Sequence, residues 1–349
     1  MTRQEIRGTK IKLLSSGRMR IPVLILVLML AAVVLSFFHW GTHWRVPRGN
    51  AGGARYELSG YWGGATFPGG KFQRPIGIGV APGGDVYVSD ARKRIVHLNA
   101  SGQFLGQWGS EGNGPGQFSN PIALAIAPDG SVFVCDYDLD RVQKFTAEGR
   151  FILEFGRSGS APGSFDAPAG LAVDASGFVY VADFYNHRVE KFSADGSFEK
   201  VIGRPGRIGD GALHYPTGVD LTPEGNLLVA DAYNYQLQWF DARGRSLRRT
   251  GYHFFWMWPR PVSSKSGFQV PSDAAAASDG RIHVADSGNH RMIMLSKRGE
   301  FLTDWTIPDA NPKIYSPEHT AVSPDGLTVY ATDLQANRVL ILKVIQTGK

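Results

Sequence analysis

Cysteine is nearly absent from this chain of 349 residues, which contains Cys135 alone. A single thiol excludes an intramolecular disulfide, and it excludes zinc or iron–sulfur sites built from several cysteines. Because Cys135 stands in the apolar run VFVCD, we expect it to be a packed core residue rather than a reactive thiol. The fold is therefore expected to be held by packing, without covalent cross-links.

An excess of positive charge is also absent from most of the chain, although the formal net charge is +6. Residues 1–20 hold six Lys or Arg and one acid, and so carry +5. All later residues together hold 31 bases and 30 acids, a net charge of +1. The basic charge belongs to a short tail, and the rest of the chain lacks the basic surface that nucleic-acid binding requires.

One long hydrophobic run follows this tail. Residues 21–38, IPVLILVLMLAAVVLSFF, contain no charge and are close to the minimum length for a transmembrane helix. Bases precede the run, and two Phe and two Trp residues end or follow it, which predicts a cytoplasmic N-terminus. A cleaved signal peptide is the alternative, but LSFFHW offers no small-x-small cleavage site. No cysteine stands near the run to carry a lipoprotein anchor.

The expected organisation follows from this signal anchor. Residues 1–20 form a cytoplasmic tail, residues 21–38 cross the cytoplasmic (inner) membrane once, and residues 39–55 form a linker. Residues 56–349 then lie on the far side of the membrane, in a periplasm or outside the cell.

A repeat fills this last segment, in which no stretch has helical periodicity. An apolar run ends in Asp, and a second apolar run follows four or five residues later, usually after Arg. The Asp residues of the six copies are Asp90, Asp136, Asp183, Asp231, Asp286 and Asp333. Each copy holds four short β-runs separated by Gly, Asp and Pro turns, which predicts an all-β fold, a six-bladed β-propeller.

The two ends of the array support a closed ring. The sixth copy ends after its third β-run, near Ile345, and has no fourth. Residues 56–62 match the missing run. We therefore expect this N-terminal strand to pair with the last blade and to cover its otherwise open edge.

The motifs of residues 155–189 resemble NHL repeats. They are Phe-Gly-x-x-Gly-x-x-x-Gly-x-Phe, Pro-x-Gly-Leu-Ala-Val and Val-Tyr-Val-Ala-Asp-x-x-Asn-His-Arg-Val, and the resemblance extends over residues 56–345. It implies a six-bladed propeller. It does not imply one chemistry, because the family includes sensor domains, scaffolds, RNA binders and a few enzymes.

The repeated polar residues are expected to be structural. An Asp at a strand end accepts backbone N–H bonds from the following turn, and six equivalent copies cannot form one active site. His187 and His290, both within Asn-His-Arg, belong to the same pattern. The Gly-rich stretches 109–116 and 156–163 lead into strands rather than helices, so they are expected to connect blades and not to bind phosphate.

The position two residues after each strand-opening Pro departs from the repeat. It is occupied by Gly77, Ala123, Gly170, Gly218, Asp273 and His319. First strands line the channel of a propeller, so the last two blades place a carboxylate and an imidazole there. His319, Asp273 and Glu318 are candidate catalytic residues. The alternative is a channel-lining polar group bonded to water.

The same channel offers a candidate metal site formed by His319, His214 and Asp273, with zinc or calcium as the ion. The resemblance bears on this site, because lyase relatives that act on C-terminal hydroxyglycine peptides hold zinc with several channel histidines. Calcium-dependent lactonase-like propellers use Glu and Asn instead. Only His319 and His214 match the first of these patterns.

Aromatic residues form the second irregularity. The blade 4–5 connector is longer than the others and contains YHFFWMWPR over residues 252–260. The turns between second and third strands emerge on the same face as this connector and the channel mouth. The candidate binding residues are Tyr137, Phe184, Tyr185, Tyr233, Tyr235, Phe254, Phe255, Trp256 and Trp258. The alternative is that these rings pack between blades or over the channel mouth.

Two functions follow from these two irregularities. The preferred one is a membrane-anchored scaffold that binds a periplasmic or membrane-associated protein or peptide on its aromatic face, without a cofactor. The other is a lyase or hydrolase, with or without a metal ion, whose site lies at the channel mouth.

Overall fold

The computed structural model describes most of the chain beyond the linker. The described residues are 53–63, 67–251, 267–306 and 316–346. Of 253–255 and 258–260, only the backbone is described. The predicted span at 21–38 lies outside these residues. Within the described part of the chain, no helix has both the length and the apolar character that crossing a membrane requires.

Six four-stranded antiparallel sheets form the six blades of a β-propeller, as the repeat predicts. Blades 1 to 3 comprise Ile78–Val80, Val86–Asp90, Arg94–Leu98, Phe104–Trp108; Pro121–Ile126, Val132–Asp136, Arg141–Phe145, Phe151–Phe155; Pro168–Val173, Val179–Asp183, Arg188–Phe192, Phe198–Ile202. Blades 4 to 6 comprise Pro216–Leu221, Leu227–Asp231, Gln236–Phe240, Ser246–Thr250; Pro271–Ala276, Ile282–Asp286, Arg291–Leu295, Phe301–Thr306; Pro317–Val322, Thr328–Asp333, Arg338–Gln346, Ala54–Trp62.

Short elements join the blades. Two parallel pairs, a hairpin and two 3-10 turns are Ser110–Glu111 with Gln117–Phe118, Arg204–Pro205 with Ala212–Leu213, His253–Phe255 with Trp258–Arg260, Ala232–Asn234 and Ser287–Asn289. The Gly-rich stretch 109–116 contains the first of these strands and leads into a blade strand, as expected of a connector.

The N-terminal strand closes the ring, as the sequence predicts. Ala54–Trp62 pairs antiparallel with Arg338–Gln346, so blade 6 takes its outermost strand from the start of the propeller. The Tyr56 hydroxyl lies 2.8 Å from Nδ1 of the buried His283 and 3.1 Å from the carbonyl oxygen of Ile293. The closing strand is thereby bonded to blade 5 as well as to blade 6.

The hydrophobic core is divided among the blade interfaces. The middle strands of the blades are largely buried on both faces, whereas the outermost strands are half-exposed. Six clusters of buried side chains each join two neighbouring blades, and one of them joins blade 6 to blade 1. Cys135 is fully buried in the cluster between blades 2 and 3, as its apolar context predicts. Since every interface uses two blades, the ring is stabilised as a whole.

The repeated Asp residues accept backbone N–H groups, but in most blades the donors are not those of the following turn. Asp136 accepts the N–H groups of Ser119 and Asn120, both at 2.8 Å, and these precede the first strand of the same blade. The following turn donates in blades 1 and 6. The prediction of the donors was therefore wrong for most blades, because the end of the second strand lies beside the start of the first.

Candidate functional site

The first strands of the blades enclose a central cavity of about 200 Å³. Its wall consists of Gly, Ala, Val, Leu and Ile apart from four residues, Asp220, Asp273, His319 and Thr320. The polar lining is therefore confined to blades 4 to 6. Two of the four, Asp273 and His319, occupy the position that the sequence analysis singled out.

Asp273 is held against the neighbouring blades on both sides. Its Oδ2 accepts the N–H of Thr320 in blade 6 at 2.9 Å, and its side chain is 10% exposed. A Cβ on Gly218 in blade 4 would collide with Oδ1 of Asp273, so glycine at 218 makes room for this carboxyl group. Burial raises the pKa of Asp273 to about 7.

Asp220 is a second channel carboxyl that the sequence analysis missed. Its Oδ2 accepts the N–H of Ala276 in blade 5 at 2.7 Å. Burial, and to a lesser extent the charge of Asp273, raises its pKa to about 7. The signal was present four residues after each strand-opening Pro, where the six blades carry Gly79, Ala125, Ala172, Asp220, Ala275 and Ala321.

His319 faces Asp273 across the blade 5–6 junction, with 3.6 Å between Nδ1 and Oδ2. Burial lowers the pKa of His319 to about 4, so the imidazole is neutral at pH 7. The distance would suit an ion pair, but the two groups do not form one at pH 7, because the imidazole is uncharged. The Asp273 carboxyl group, with its pKa raised to about 7, can donate or accept a proton at neutral pH, and the neutral imidazole lies beside it.

Glu318 and His214 do not join this pair. Glu318 is absent from the cavity wall, and its carboxyl group interacts with Ser316. Burial raises the pKa of Glu318 to about 7 against the effect of that hydrogen bond. Among the residues that the structure describes, no three His, Cys, Asp or Glu side chains are grouped as metal ligands would be. Binding of zinc or calcium stays a prediction.

An aromatic cluster lies at the same end of the propeller as Asp273 and His319. Each first strand starts opposite the end of its second strand, as Pro216 opposite Asp231 and Pro271 opposite Asp286 show. The turn that follows each of these Asp residues therefore emerges beside the start of the channel strands. This arrangement places the turns carrying Tyr137, Phe184 and Tyr233 at one end.

Phe184 lies at the centre of the aromatic cluster. Its ring centroid is 4.9 Å from that of Tyr185, 4.8 Å from Tyr215, 6.2 Å from Tyr137 and 6.3 Å from Tyr233. Tyr185 is 50% exposed and Tyr233 is 43% exposed, whereas the other three residues are less exposed. Four of the predicted binding residues, from blades 2, 3 and 4, are thus brought together.

Tyr215 belongs to the aromatic cluster and was missed. It stands immediately before a strand-opening Pro, where the six copies carry Arg74, Asn120, Ala167, Tyr215, Val270 and Ser316. One aromatic ring among these six residues was the available signal. The backbone of Tyr215 adopts a left-handed conformation, φ 56°, and its ring packs on both Phe184 and Tyr233.

Two histidines complete the aromatic cluster. The rings of His187 and His214 stack with centroids 5.0 Å apart and planes 5° from parallel. Nδ1 of His187 accepts the N–H of Tyr215 at 3.0 Å, which is the structural role expected for this residue. Burial, followed by the charge of Arg207, lowers the pKa of both histidines, that of His214 to about 4. The stack is therefore uncharged at pH 7.

The remaining predicted binding residues lie apart from the aromatic cluster or outside the described side chains. Tyr235 ends the Ala232–Asn234 turn in a left-handed conformation, φ 58°, and within the described residues its ring makes none of the cluster's contacts. For Phe254, Phe255 and Trp258 only the hairpin backbone is described, and Trp256 lies outside the described residues. Their role in binding stays a prediction.

The NHL repeat family matches residues 165–192, 213–240 and 268–293, which belong to blades 3 to 5. No curated protein matches the sequence. A streptogramin B lyase structure is 14% identical with a TM-score of 0.56, and the match covers 84% of this chain and 98% of that one.

Two further solved structures share the fold. One is a catalytically inactive virginiamycin B lyase from Staphylococcus aureus with quinupristin, at 15% identity and TM-score 0.56, covering 83% of this chain and 100% of that one. The other is Kuenenia stuttgartiensis hydrazine synthase, at 16% identity and TM-score 0.54, covering 79% and 96%. At such identities the likeness concerns the fold alone. This chain therefore contains NHL repeats in blades 3 to 5 and folds as a six-bladed β-propeller.

Proposed function

We propose that this protein is a recognition module that binds a protein or peptide through its aromatic cluster, held outside the cytoplasmic membrane by an N-terminal anchor. The observation that carries the proposal is the half-exposure of Tyr185 and Tyr233 above the more buried ring of Phe184. Exposed tyrosines supported from below supply a large contact area, and aromatic residues are enriched among the energetic anchors of interfaces.

The aromatic cluster is organised before any partner arrives. Burial, followed by the interaction with the neighbouring Tyr185 hydroxyl, raises the pKa of Tyr137. Tyr215 is fixed from the backbone side by its bond to His187. Rings held in this way lose little conformational freedom on binding, so more of the contact energy is available for affinity.

Site-specific photo-crosslinking in cells tests the binding function. A photoreactive phenylalanine analogue placed at Tyr185 or Tyr233 should give a discrete adduct with a partner. Leu105 and Leu247, equally exposed on outermost strands, are matched control positions. Adducts of the same mass and yield at the control positions, or none at either tyrosine, would refute binding through the aromatic cluster.

The anchor can be tested with introduced cysteines, because the sole native thiol, Cys135, is fully buried and gives little background. Cysteine in place of Thr2 should be protected from a membrane-impermeant maleimide in intact cells, since residues 1–20 should be cytoplasmic. Cysteine in place of Asn50, in the linker, should be labelled. Labelling of the cysteine that replaces Thr2, or release of the propeller from washed membranes, would contradict the topology.

A channel enzyme is the second candidate function. The observation in its favour is the pair formed by Asp273 and His319 inside the cavity, since the Asp273 carboxyl group, with its pKa raised to about 7, can exchange a proton near pH 7 beside a neutral imidazole. The lyases that share the fold are enzymes, but their likeness reaches the fold only. Stoichiometric zinc or calcium in the purified protein, lost on His319→Gln, would favour this candidate over the first.

A further inference from the structure

We infer that the aromatic cluster selects a peptide segment in which a carboxylate accompanies an apolar ring, with the carboxylate bound by the Arg207 guanidinium. This inference rests on the proposed function and specifies the chemistry of its ligand. It is carried by an arginine and two imidazole donors at the edge of the aromatic cluster.

Arg207 supplies an uncommitted cation. It lies in the connector between blades 3 and 4 and follows Gly206, whose N–H donates to the carbonyl oxygen of Leu213 at 2.9 Å and whose own carbonyl oxygen accepts from Nδ2 of Asn234 at 3.1 Å. These bonds place Arg207 next to the segments that carry His214 and Tyr233, and its charge acts on both His187 and His214. Over the described residues, its guanidinium has no hydrogen-bond or ion-pair partner, unlike the buried arginines of the repeat. Asp210, three residues along, lies 3.9 Å from Arg249 instead. A half-buried guanidinium with five N–H donors is thus available for an anionic ligand.

The stacked histidines add donors rather than acceptors. Since Nδ1 of neutral His187 accepts the N–H of Tyr215, its single proton must be on Nε2. Nδ1 of His214 is buried and without a partner, so we place its proton on Nε2 as well, where it avoids a buried, unsatisfied N–H. Neither Nε2 is bonded to another described residue. Both imidazoles therefore offer an N–H to a ligand.

A carboxylate fits this set of donors better than a phosphate does. The edge of the cluster has one charged group, Arg207, because the two imidazoles are neutral at pH 7. One guanidinium balances a monoanion, and the planar fork of arginine matches the two oxygens of a carboxylate. A phosphate dianion would bring a second negative charge without a second cation.

Aromatic rings that can contact the apolar part of the ligand lie next to this edge. The His214 ring centroid lies 4.5 Å from that of Tyr215 and 6.3 Å from that of the half-exposed Tyr233. The donors and the aromatic surface are therefore adjacent, and a single residue pair, or a C-terminal aromatic residue, could reach both. Charge complementarity and stacking would then act on one short segment.

A pair of small probes separates the two contributions. Binding of 3-phenylpropionate and of its neutral analogue 3-phenylpropanamide to the full chain in detergent is measured by ligand-observed NMR at pH 7. We expect the propionate to bind about tenfold more tightly than the amide, as a charge-assisted bond implies. Arg207→Ala should remove this preference. Arg150→Ala, an exposed arginine in a turn at the opposite end of blade 2, should not.

Each outcome is decisive. Equal affinity for the two probes, or a preference that survives in Arg207→Ala, overturns the carboxylate inference but leaves ring binding intact. Tyr233→Ala should weaken both probes alike, because it removes the ring surface only. Failure of both probes to bind the wild-type chain overturns the inference and removes the support for aromatic recognition. Arg207→Gln, which keeps a polar side chain, guards against an effect of folding and should behave like the alanine variant.

Discussion

The channel carboxyl of Asp273 destabilises the fold when it ionises, and its removal should therefore stabilise the protein at high pH. Folding raises its pKa from 3.8 to about 7, a difference of about three units. At 1.36 kcal/mol per unit this corresponds to at most about 4 kcal/mol, and about 2–4 kcal/mol allows for the coupling with Asp220. The cost is absent below about pH 4, grows as the pH rises, and is complete above about pH 7.

Asp273→Asn keeps the shape of the side chain and an oxygen that can accept the N–H of Thr320. We expect the variant to equal the wild type in stability near pH 4 and to exceed it at pH 8. A gain of 1 kcal/mol raises Tm by about 2–4 °C in domains of 150–250 residues, so a rise of several degrees is expected at pH 8. Thermal unfolding followed by tryptophan fluorescence across this pH range measures it.

Asp195→Asn is the control for this experiment, because Asp195 lies in an exposed turn and its pKa is lowered by hydrogen bonds to Ser193 and Ser197. Asparagine at 195 should not increase stability at pH 8. If Asp273→Asn is no more stable than the wild type at pH 8, or if its advantage is the same at pH 4, the reasoning from burial is refuted.

Three further substitutions or pH changes should alter the stability of the propeller. Gly218→Ala should lower stability by about 1–3 kcal/mol, because its methyl group would collide with Asp273; an unchanged Tm would show that the blades can separate freely. Tyr56→Phe should cost about 1–2 kcal/mol through loss of its bonds to His283 and Ile293, whereas Tyr61→Phe, on the exposed side of the same strand, should cost nothing measurable in the same melt. Burial lowers the pKa of His283 to about 3, so its contribution to stability should decline as the pH falls below about 6.5; the same decline in a His283→Gln variant would contradict this.

Local sequence patterns were sufficient to predict the propeller. Strand periodicity, turn residues and a repeat of 46–55 residues specify four strands and six blades, because each of blades 1 to 5 pairs its strands within its own segment. The shortage of one strand at the C-terminus and its surplus at the N-terminus predicted the pairing of Ala54–Trp62 with Arg338–Gln346. The channel positions Asp273 and His319 followed from the same alignment of the copies.

The sequence alone therefore determined the fold, and it determined on which strand of a blade each residue lies. Only the tertiary structure decided which of these residues meet. The Asp273–His319 pair, the packing of Phe184 against Tyr215 and the stacking of His187 on His214 all join different blades, about 30 to 50 residues apart. Their chemistry is equally non-local: the altered pKa values arise mainly from burial by neighbouring blades, which no pattern within one repeat records.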